Sequence, residues 1–227
     1  MARLAEGSST AQRLAAEALG SAWLLAAVVG SGIMGERLAG GNAAIALLAN
    51  TVVTGAMLFV LITVFGPVSG AHFNPAVSAV EALRRNITWL LCAGYVAAQV
   101  GGALVGVAAA HAMFELPIVQ FSLKERSGAA QLFSEFVASF GLIVTIIATV
   151  RHAPSRVAAA VASYIVAAYW FTASTSFANP AVTLARSVSD TFAGIRPIDA
   201  PVFIIAQLCG ALAALLVMSW LFSTRIR

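Results

Sequence analysis

Long apolar runs separated by short polar connections are the main pattern along this chain. Six runs have close to the ~20 residues that a helix needs to cross the ~30 Å hydrocarbon layer of a membrane. They lie at about 12–34, 42–65, 89–112, 131–151, 156–173 and 200–223, and the fifth is the shortest. The pattern therefore predicts an all-α membrane protein, with six transmembrane helices and two extra short segments filling one domain over residues 1–227.

Composition and charge support the membrane class. Hydrophobic residues make up 60% of the chain and charged residues 10%, whereas a soluble domain is nearer half apolar and a quarter charged. The 13 basic residues stand singly or in pairs at the ends of apolar runs, which argues against a nucleic-acid partner. Basic residues favour cytoplasmic connections, so their distribution predicts that both termini are cytoplasmic. The cytoplasmic set would be Arg3, Arg13, Arg84, Arg85, Arg151, Arg156, Arg225 and Arg227, against Arg37, Lys124, Arg126, Arg186 and Arg196 outside.

One sequence pattern occurs twice. Matching positions are separated by 105, 108 and 118 residues: Asn74 and Asn179, Gln99 and Gln207, and Glu17 and Glu135. The two repeats cover about 12–112 and 131–223, and each contains three of the six spans. Because each repeat crosses the membrane three times, the second repeat begins on the opposite side from the first and is inverted relative to it. Inverted repeats are common among transport proteins.

The repeated tetrapeptide Asn-Pro-Ala-Val predicts two helix starts inside the membrane. Asn is a preferred N-cap residue and Pro is favoured at the first helical position. The first copy begins Asn74, Pro75, Ala76 and the second begins Asn179, Pro180, Ala181. Each is followed by too few helix-compatible residues to cross the bilayer, so we expect two half-helices that enter from opposite faces and meet near the middle. Irregular backbone at that depth is tolerated where it is buried in protein or lines a wet cavity.

Two facing helix N-termini indicate a pore for uncharged molecules. Each N-terminus carries about half a positive charge, so cations and protons are repelled at the midplane. The amides of Asn74 and Asn179 can donate hydrogen bonds to a passing neutral solute. The sequence therefore predicts a passive path for small hydroxylated molecules that excludes cations.

The paired Asn-Pro-Ala motifs, the SGAHFNPAV context and the repeated Glu and Gln positions resemble the aquaporin (major intrinsic protein) family over essentially the whole chain. The resemblance implies a right-handed six-helix bundle with two half-helices, one pore per subunit, and a homotetramer in the bacterial inner membrane. It also implies that Glu17 and Glu135 accept hydrogen bonds from the re-entrant loops, and that His72 helps to present loop carbonyls to the pore.

The outer constriction departs from the family pattern. Most members carry Arg directly after the second Asn-Pro-Ala, and this chain carries Val182. The resemblance, carried over by the spacing from the two motif asparagines, implies that the other constriction positions are Thr54, Ala167 and Ser176, with Ala168 as an alternative to Ala167. These side chains include neither a ring nor a charge, so we expect a wide filter that admits larger neutral solutes.

Arg186 follows Val182 by four residues, so on a helix it lies on roughly the same face, one turn (~5.4 Å) farther out. One hypothesis is that Arg186 lines the outer vestibule and attracts oxyanions or polarised solutes. The alternative is an ordinary arginine at the membrane interface, or one paired with Asp190.

Val182 together with the stretch TFAGI (191–195) resembles a bacterial branch associated with arsenic detoxification. That resemblance implies passage of arsenite, methylated arsenicals and small polyols. Two other readings stay open: an orthodox water or glycerol channel, and an ion-coupled transporter that uses Glu17 and Glu135. The chain has no nucleophile–base grouping, phosphate loop or metal-ligand spacing, so no enzyme activity, cofactor or metal is expected.

Overall fold

The computed structural model describes residues 7–223, and Arg3, Arg225 and Arg227 of the charge pattern lie outside this range. Eight α-helices and one short 3₁₀ helix (Pro154–Arg156) make up the described part. The α-helices are α1 (Thr10–Leu38), α2 (Ala43–Ser69), α3 (Pro75–Leu83), α4 (Trp89–Met113), α5 (Ala129–His152), α6 (Val157–Phe171), α7 (Pro180–Arg186) and α8 (Ala200–Leu221).

Local sequence determines where several helices begin and end. The Ser9 side chain accepts a hydrogen bond from the Gln12 amide and the Gln12 side chain accepts one from the Ser9 amide, which is a capping box at the start of α1. Asn42 caps two amides in the first turn of α2. That helix ends at Gly70, whose φ of 91° lies in the left-handed region that glycine adopts at low cost.

Five of the six predicted spans are long and apolar enough to cross a membrane: α1, α2, α4, α5 and α8. The fifth predicted span corresponds to α6, which has 15 residues and is therefore only about 22 Å long. It ends at Phe171, two residues earlier than expected, because the polar segment 172–176 leaves the helix there. The second half-helix, α7, is also shorter than the nine-residue pattern PAVTLARSV and ends at Arg186.

The two halves of the chain repeat the same helix contact. Helix α1 packs on α4, and α5 packs on α8. A Cβ on Gly102 of α4 would collide with the carbonyl oxygen of Ala18, and a Cβ on Gly210 of α8 would collide with that of Phe136. These positions are related by the offsets of 108 and 118 found in the sequence. Small residues therefore let two equivalent helix pairs approach to backbone contact.

The half-helices connect the two halves of the molecule. Residues of α7 belong to an apolar cluster built mainly from α1 and α4, whereas residues of α3 belong to a cluster built from α5, α6 and α8. Each half-helix thus packs into the core of the opposite half. Large apolar side chains remain on the outer surface, such as Leu90 (86% exposed) and Trp220 (74% exposed), as expected for helices that face lipid.

Candidate pore

The two Asn-Pro-Ala motifs meet inside the molecule. Asn74 Nδ2 donates a hydrogen bond to the carbonyl oxygen of Ala178 at 2.8 Å, and Asn179 Nδ2 donates one to the carbonyl oxygen of Phe73 at 2.7 Å. Each asparagine therefore contacts the loop that precedes the opposite motif. The structure brings the N-termini of α3 and α7 together, as the sequence pattern requires.

Each asparagine also caps its own half-helix. Asn74 Oδ1 accepts from the amide of Ala76 at 2.9 Å, and Asn179 Oδ1 accepts from the amides of Ala181 at 2.9 Å and Val182 at 3.3 Å. The prolines Pro75 and Pro180 occupy the first helical positions. A side-chain amide has two N–H donors, and the loop carbonyl takes one. The second donor of each asparagine is available to a molecule in the cavity.

The loops before the motifs contain equivalent left-handed residues. Ala71 and Phe73 have φ of 51° and 47°, and Ser176 and Ala178, 105 positions later, have φ of 50° and 48°. Residues other than glycine adopt this region rarely, and they keep it only where the surroundings hold them. No residue type in the sequence signals this conformation.

Glu17 holds the first loop. Its two carboxylate oxygens accept hydrogen bonds from the amides of His72 (2.9 Å) and Phe73 (2.7 Å), from the Ser69 hydroxyl (2.6 Å) and from Gln99 Nε2 (2.7 Å). The residue is fully buried. All of these partners are neutral donors, so the carboxylate is bound to the loop rather than to a basic group.

Glu135 makes the equivalent contacts to the second loop. It accepts from the amides of Phe177 (2.8 Å) and Ala178 (2.9 Å) and from Gln207 Nε2 (2.6 Å). It is also fully buried. Glu17 and Glu135 are equivalent positions of the two repeats, 118 residues apart. The loop residues that they anchor are also equivalent, at an offset of 105.

An internal cavity is lined by both asparagines. Its open volume of about 80 Å³ exceeds the ~10–15 Å³ that one water molecule needs. Apolar side chains form most of the wall, including Val77, Leu142, Ile146, Val161, Ile165 and Val182. The polar side chains along it are Thr54, His72, Asn74, Tyr169, Ser176, Asn179 and Arg186. The cavity is thus an apolar passage with one set of polar groups along its length.

His72 lies on this cavity beside the first motif. Its Nδ1 is 3.0 Å from the Ser78 hydroxyl, and its ring packs edge-on against Tyr95 with centroids 5.1 Å apart. Its Nε2 is buried and has no protein partner among the described residues.

Three of the four predicted constriction residues line the cavity, and Ala167 does not. Thr54, Ser176 and Val182 are buried there, whereas Ala167 is exposed on the outer surface of α6. Tyr169 takes the place on the cavity, and its hydroxyl donates to Thr54 Oγ1 at 3.4 Å. Positions two residues apart on a helix differ by about 200° in direction, so an error of two residues points to the opposite face. The alternative Ala168 is buried but does not line the cavity.

Arg186 is part of the cavity wall and is 2% exposed. Its Nε donates to the carbonyl oxygen of Ala193, and its guanidinium carbon lies 3.3 Å from the ring centroid of Phe177. The suggested pairing with Asp190 is wrong, because the Asp190 carboxylate accepts from the amide of Leu123 and forms no ion pair with Arg186. Burial also excludes an arginine exposed at the membrane interface.

Two more basic residues approach this end of the cavity from the connection between α4 and α5. Arg126 donates to the carbonyl oxygens of Gly194 (2.8 Å) and Ser174 (3.0 Å), and its guanidinium carbon lies 4.8 Å from the Phe177 ring centroid. Lys124 Nζ donates to the Phe192 carbonyl oxygen at 2.7 Å. Partial burial, and then the nearby charges of the two arginines, lower the pKa of Lys124 to about 8. Sequence reasoning missed Tyr169, Phe177 and Arg126, since no motif marks them.

Comparisons with known proteins agree with this geometry. The family description "Major intrinsic protein" matches residues 5–172 and 152–227. Aquaglyceroporin AqpS of Rhizobium meliloti (strain 1021) is 59% identical over 210 residues, which covers 92% of this chain and 90% of that protein. Aquaporin NIP3-1 of Arabidopsis thaliana is 30% identical over 76% of this chain and 57% of its own length.

The fold has a close counterpart among solved structures. The aquaglyceroporin from Plasmodium falciparum superposes with a TM-score of 0.72, covering 92% of this chain and 95% of that one, at 19% identity. That likeness confirms the predicted all-α membrane fold with two half-helices. Among residues 7–223, no group of three or more His, Cys, Asp or Glu side chains is arranged to hold a metal ion. The chain belongs to the major intrinsic protein family, whose members are membrane channels and not enzymes.

Proposed function

We propose that this protein is a passive channel for small uncharged solutes, with glycerol-like polyols and arsenite as substrates and with methylated arsenicals and water as further permeants. One observation carries the proposal: a mainly apolar cavity contains free hydrogen-bond donors of Asn74 and Asn179 where two half-helices meet. A hydroxylated neutral molecule can exchange its water contacts for these donors. A cation cannot, because both helix N-termini present positive potential to it.

The residues that we assign to the constriction are Thr54, Tyr169, Ser176 and Val182. The hydroxyl groups supply hydrogen bonds, and the Val182 side chain supplies an apolar wall where most family members carry arginine. Arsenous acid is neutral at pH 7 and resembles glycerol in its hydroxyl groups, so the same contacts serve both. A methyl group on a solute would find an apolar partner at Val182.

The carboxylates of Glu17 and Glu135 have a positioning role in this proposal. Each fixes the amides of a loop whose residues adopt left-handed conformations, and so keeps the loop beside the cavity. His72 would complete the lining next to the first motif. Neither carboxylate lines the cavity, which favours a channel over an ion-coupled transporter that would load and release protons on these residues.

We further propose a homotetramer in the bacterial inner membrane, with both termini on the cytoplasmic side and one pore in each subunit. The wide apolar outer surface of the long helices supports burial against lipid and neighbouring subunits. Light scattering of the purified protein in detergent checks the subunit number. To check the orientation, single cysteines are placed in the connections between helices and labelled in intact cells with a reagent that does not cross the membrane. Only cysteines on the outer side should react.

Solute uptake into proteoliposomes tests the proposed function. Vesicles with and without the protein are exposed to outward-to-inward gradients of glycerol and of arsenite, with and without a pH gradient. The channel proposal expects uptake that rises in proportion to the solute gradient and ignores the pH gradient. Uptake that saturates and depends on the pH gradient would instead identify a coupled transporter.

A further inference from the structure

Two buried arginines share one aromatic ring at the Arg186 end of the cavity. Arg126 is 8% exposed and Arg186 is 2% exposed. Their guanidinium carbons lie 4.8 Å and 3.3 Å from the centroid of Phe177, so they are at most 8.1 Å apart. Guanidinium groups bind well to aromatic faces, but the ring does not neutralise their charge.

Within residues 7–223, neither arginine forms an ion pair with a carboxylate. The ion pairs within residues 7–223 join Arg84 to Glu81 and Arg196 to Glu125 and Asp199. Asp199 accepts from the backbone amide of Arg126, but its side-chain partner is Arg196. The charge of Glu135 acts on both arginines, yet its oxygens are occupied by loop amides and Gln207. With Lys124 close by, the local charge is positive.

The position equivalent to Arg186 in the first half of the chain is Glu81, whose charge has partners. Glu81 precedes Arg186 by 105 residues, and it is likewise almost fully buried at the end of a half-helix. Glu81 contacts Arg84 at 2.7 Å and accepts from Asn86 at 2.6 Å. Arg186 Nη1, in contrast, is buried without any hydrogen-bond partner in the described part of the chain. An unpaired buried charge is costly, so a counter-charge has to come from elsewhere.

We propose that the Arg186 end of the cavity is a binding site for a small tetrahedral oxyanion of the sulfate or phosphate class. The guanidinium group of Arg186 donates to the ion, since Arg186 lines the cavity and its Nη1 has no hydrogen-bond partner among the described residues. Arg126 and Lys124 supply further positive potential. Charge-assisted bonds from guanidinium to oxyanion are among the strongest hydrogen bonds that proteins make.

The bound oxyanion stays at this end of the cavity. The rest of the cavity wall consists largely of apolar residues such as Leu142, Ile146 and Val161. A doubly charged ion would lose its hydration there without gaining a charged partner, so it is retained at Arg186 rather than conducted. The site uses the same cavity as the proposed channel, but binding can be measured without any transport.

Isothermal titration of the purified full-length protein with sulfate tests the site, with sodium chloride added to keep the ionic strength constant. The wild type should bind sulfate saturably, and Arg186→Gln should weaken binding by about tenfold or more. Arg151→Gln is the matched control, because Arg151 also lies over an aromatic ring (Phe222, 4.7 Å) but is exposed at the far end of α5. It should bind as the wild type does.

Absence of saturable binding to the wild type, or equal binding by Arg186→Gln, would overturn the site. If Arg186→Gln does not fold, Lys124→Gln replaces it, with several-fold weaker sulfate binding expected and unchanged binding contradicting the proposal. Glycerol uptake measured without sulfate reports on the channel function separately. Failure of the oxyanion proposal would therefore leave the proposed channel function intact, and failure of the channel proposal would leave the oxyanion site intact.

Discussion

The two re-entrant segments share a framework and differ in their side chains. Residues 72–81 and 177–186 match at an offset of 105, and the asparagine caps, the left-handed residues and the glutamate anchors recur at equivalent places. Two of the positions that differ bear on the chemistry of the cavity. His72 in the first segment corresponds to Phe177 in the second, and Glu81 corresponds to Arg186.

These differences separate what holds the pore from what distinguishes its two ends. Glu81 is paired with Arg84 and lies away from the cavity, whereas Arg186 stacks on Phe177 and forms part of the cavity wall. Anchoring and capping obey the repeat because both loops need the same hydrogen bonds. The charged and aromatic residues are not repeated between the two segments, so solute recognition at the two ends of the cavity can differ.

Removal of either anchoring glutamate should produce the largest effect. Glu17→Ala leaves four donors without their acceptor and Glu135→Ala leaves three, at roughly 1–3 kcal/mol for each buried group. Both variants should lose most of the folded protein, with Glu17→Ala the worse. Size-exclusion chromatography and thermal unfolding in detergent measure this loss.

The exposed residue Glu36 on α1 provides the control, and Glu36→Ala should behave as the wild type does. The anchoring assignment would fail if Glu17→Gln and Glu135→Gln folded normally and lost only a pH-driven component of uptake. That result would support proton coupling instead.

The helix crossings should respond next most strongly. Gly102→Ala and Gly210→Ala each place a methyl group against a backbone carbonyl, so each should destabilise the protein by about 1–3 kcal/mol. Gly101→Ala is the matched control, because a Cβ at the neighbouring Gly101 meets nothing within 4 Å. Thermal unfolding should show similar losses for the two crossing variants. A loss at only one of them would break the equivalence of the halves.

Helix α6 shows how far the sequence could predict the constriction. Counting back from Asn179 gave Ala167, but α6 ends at Phe171 and the following segment bends through left-handed Thr175 and Ser176. These left-handed conformations have no signature in the residue types, so a count of residues back from Asn179 does not take them into account. The anchors and caps were predictable because they depend on polar groups at fixed offsets. The contact of Phe177 with Arg126 was not predictable, because Arg126 lies in the long connection between α4 and α5, which has no periodic pattern.

The corrected position on α6 can be tested by a pair of variants with a moderate expected effect. Tyr169→Ala should widen the cavity and raise the uptake of a polyol larger than glycerol by about twofold to tenfold. An effect of this size is expected because a difference of a few methylene-sized contacts changes discrimination only moderately. Ala167→Leu changes only the outer face of α6 and should leave uptake unchanged. Stopped-flow light scattering of proteoliposomes compares the two. The opposite order of effects would restore Ala167 to the constriction.

The pH dependence of stability should show the smallest effect. The folded-state pKa of Lys124 is about 8, below the ordinary 10.5, so between these values the unfolded chain binds more protons than the folded one. The free energy of unfolding should therefore rise as the pH is raised through this window. Because Lys124 is only partly buried, solvent screens much of this contribution, and we expect a gain of about 2 °C or less in the thermal unfolding temperature. Lys124→Gln should remove this gain, and an equal gain in the variant would assign it to other groups.

Selectivity by Val182 is the central claim, and uptake by Val182→Arg proteoliposomes tests it most directly. Wild type, Val182→Arg and the isosteric Val182→Thr are offered glycerol, arsenite and a methylated arsenical. The account predicts that the arginine variant loses the methylated solute first while it keeps water flux, and that the threonine variant retains all three solutes. Identical uptake by wild type and Val182→Arg would contradict the account and place the constriction elsewhere in the cavity.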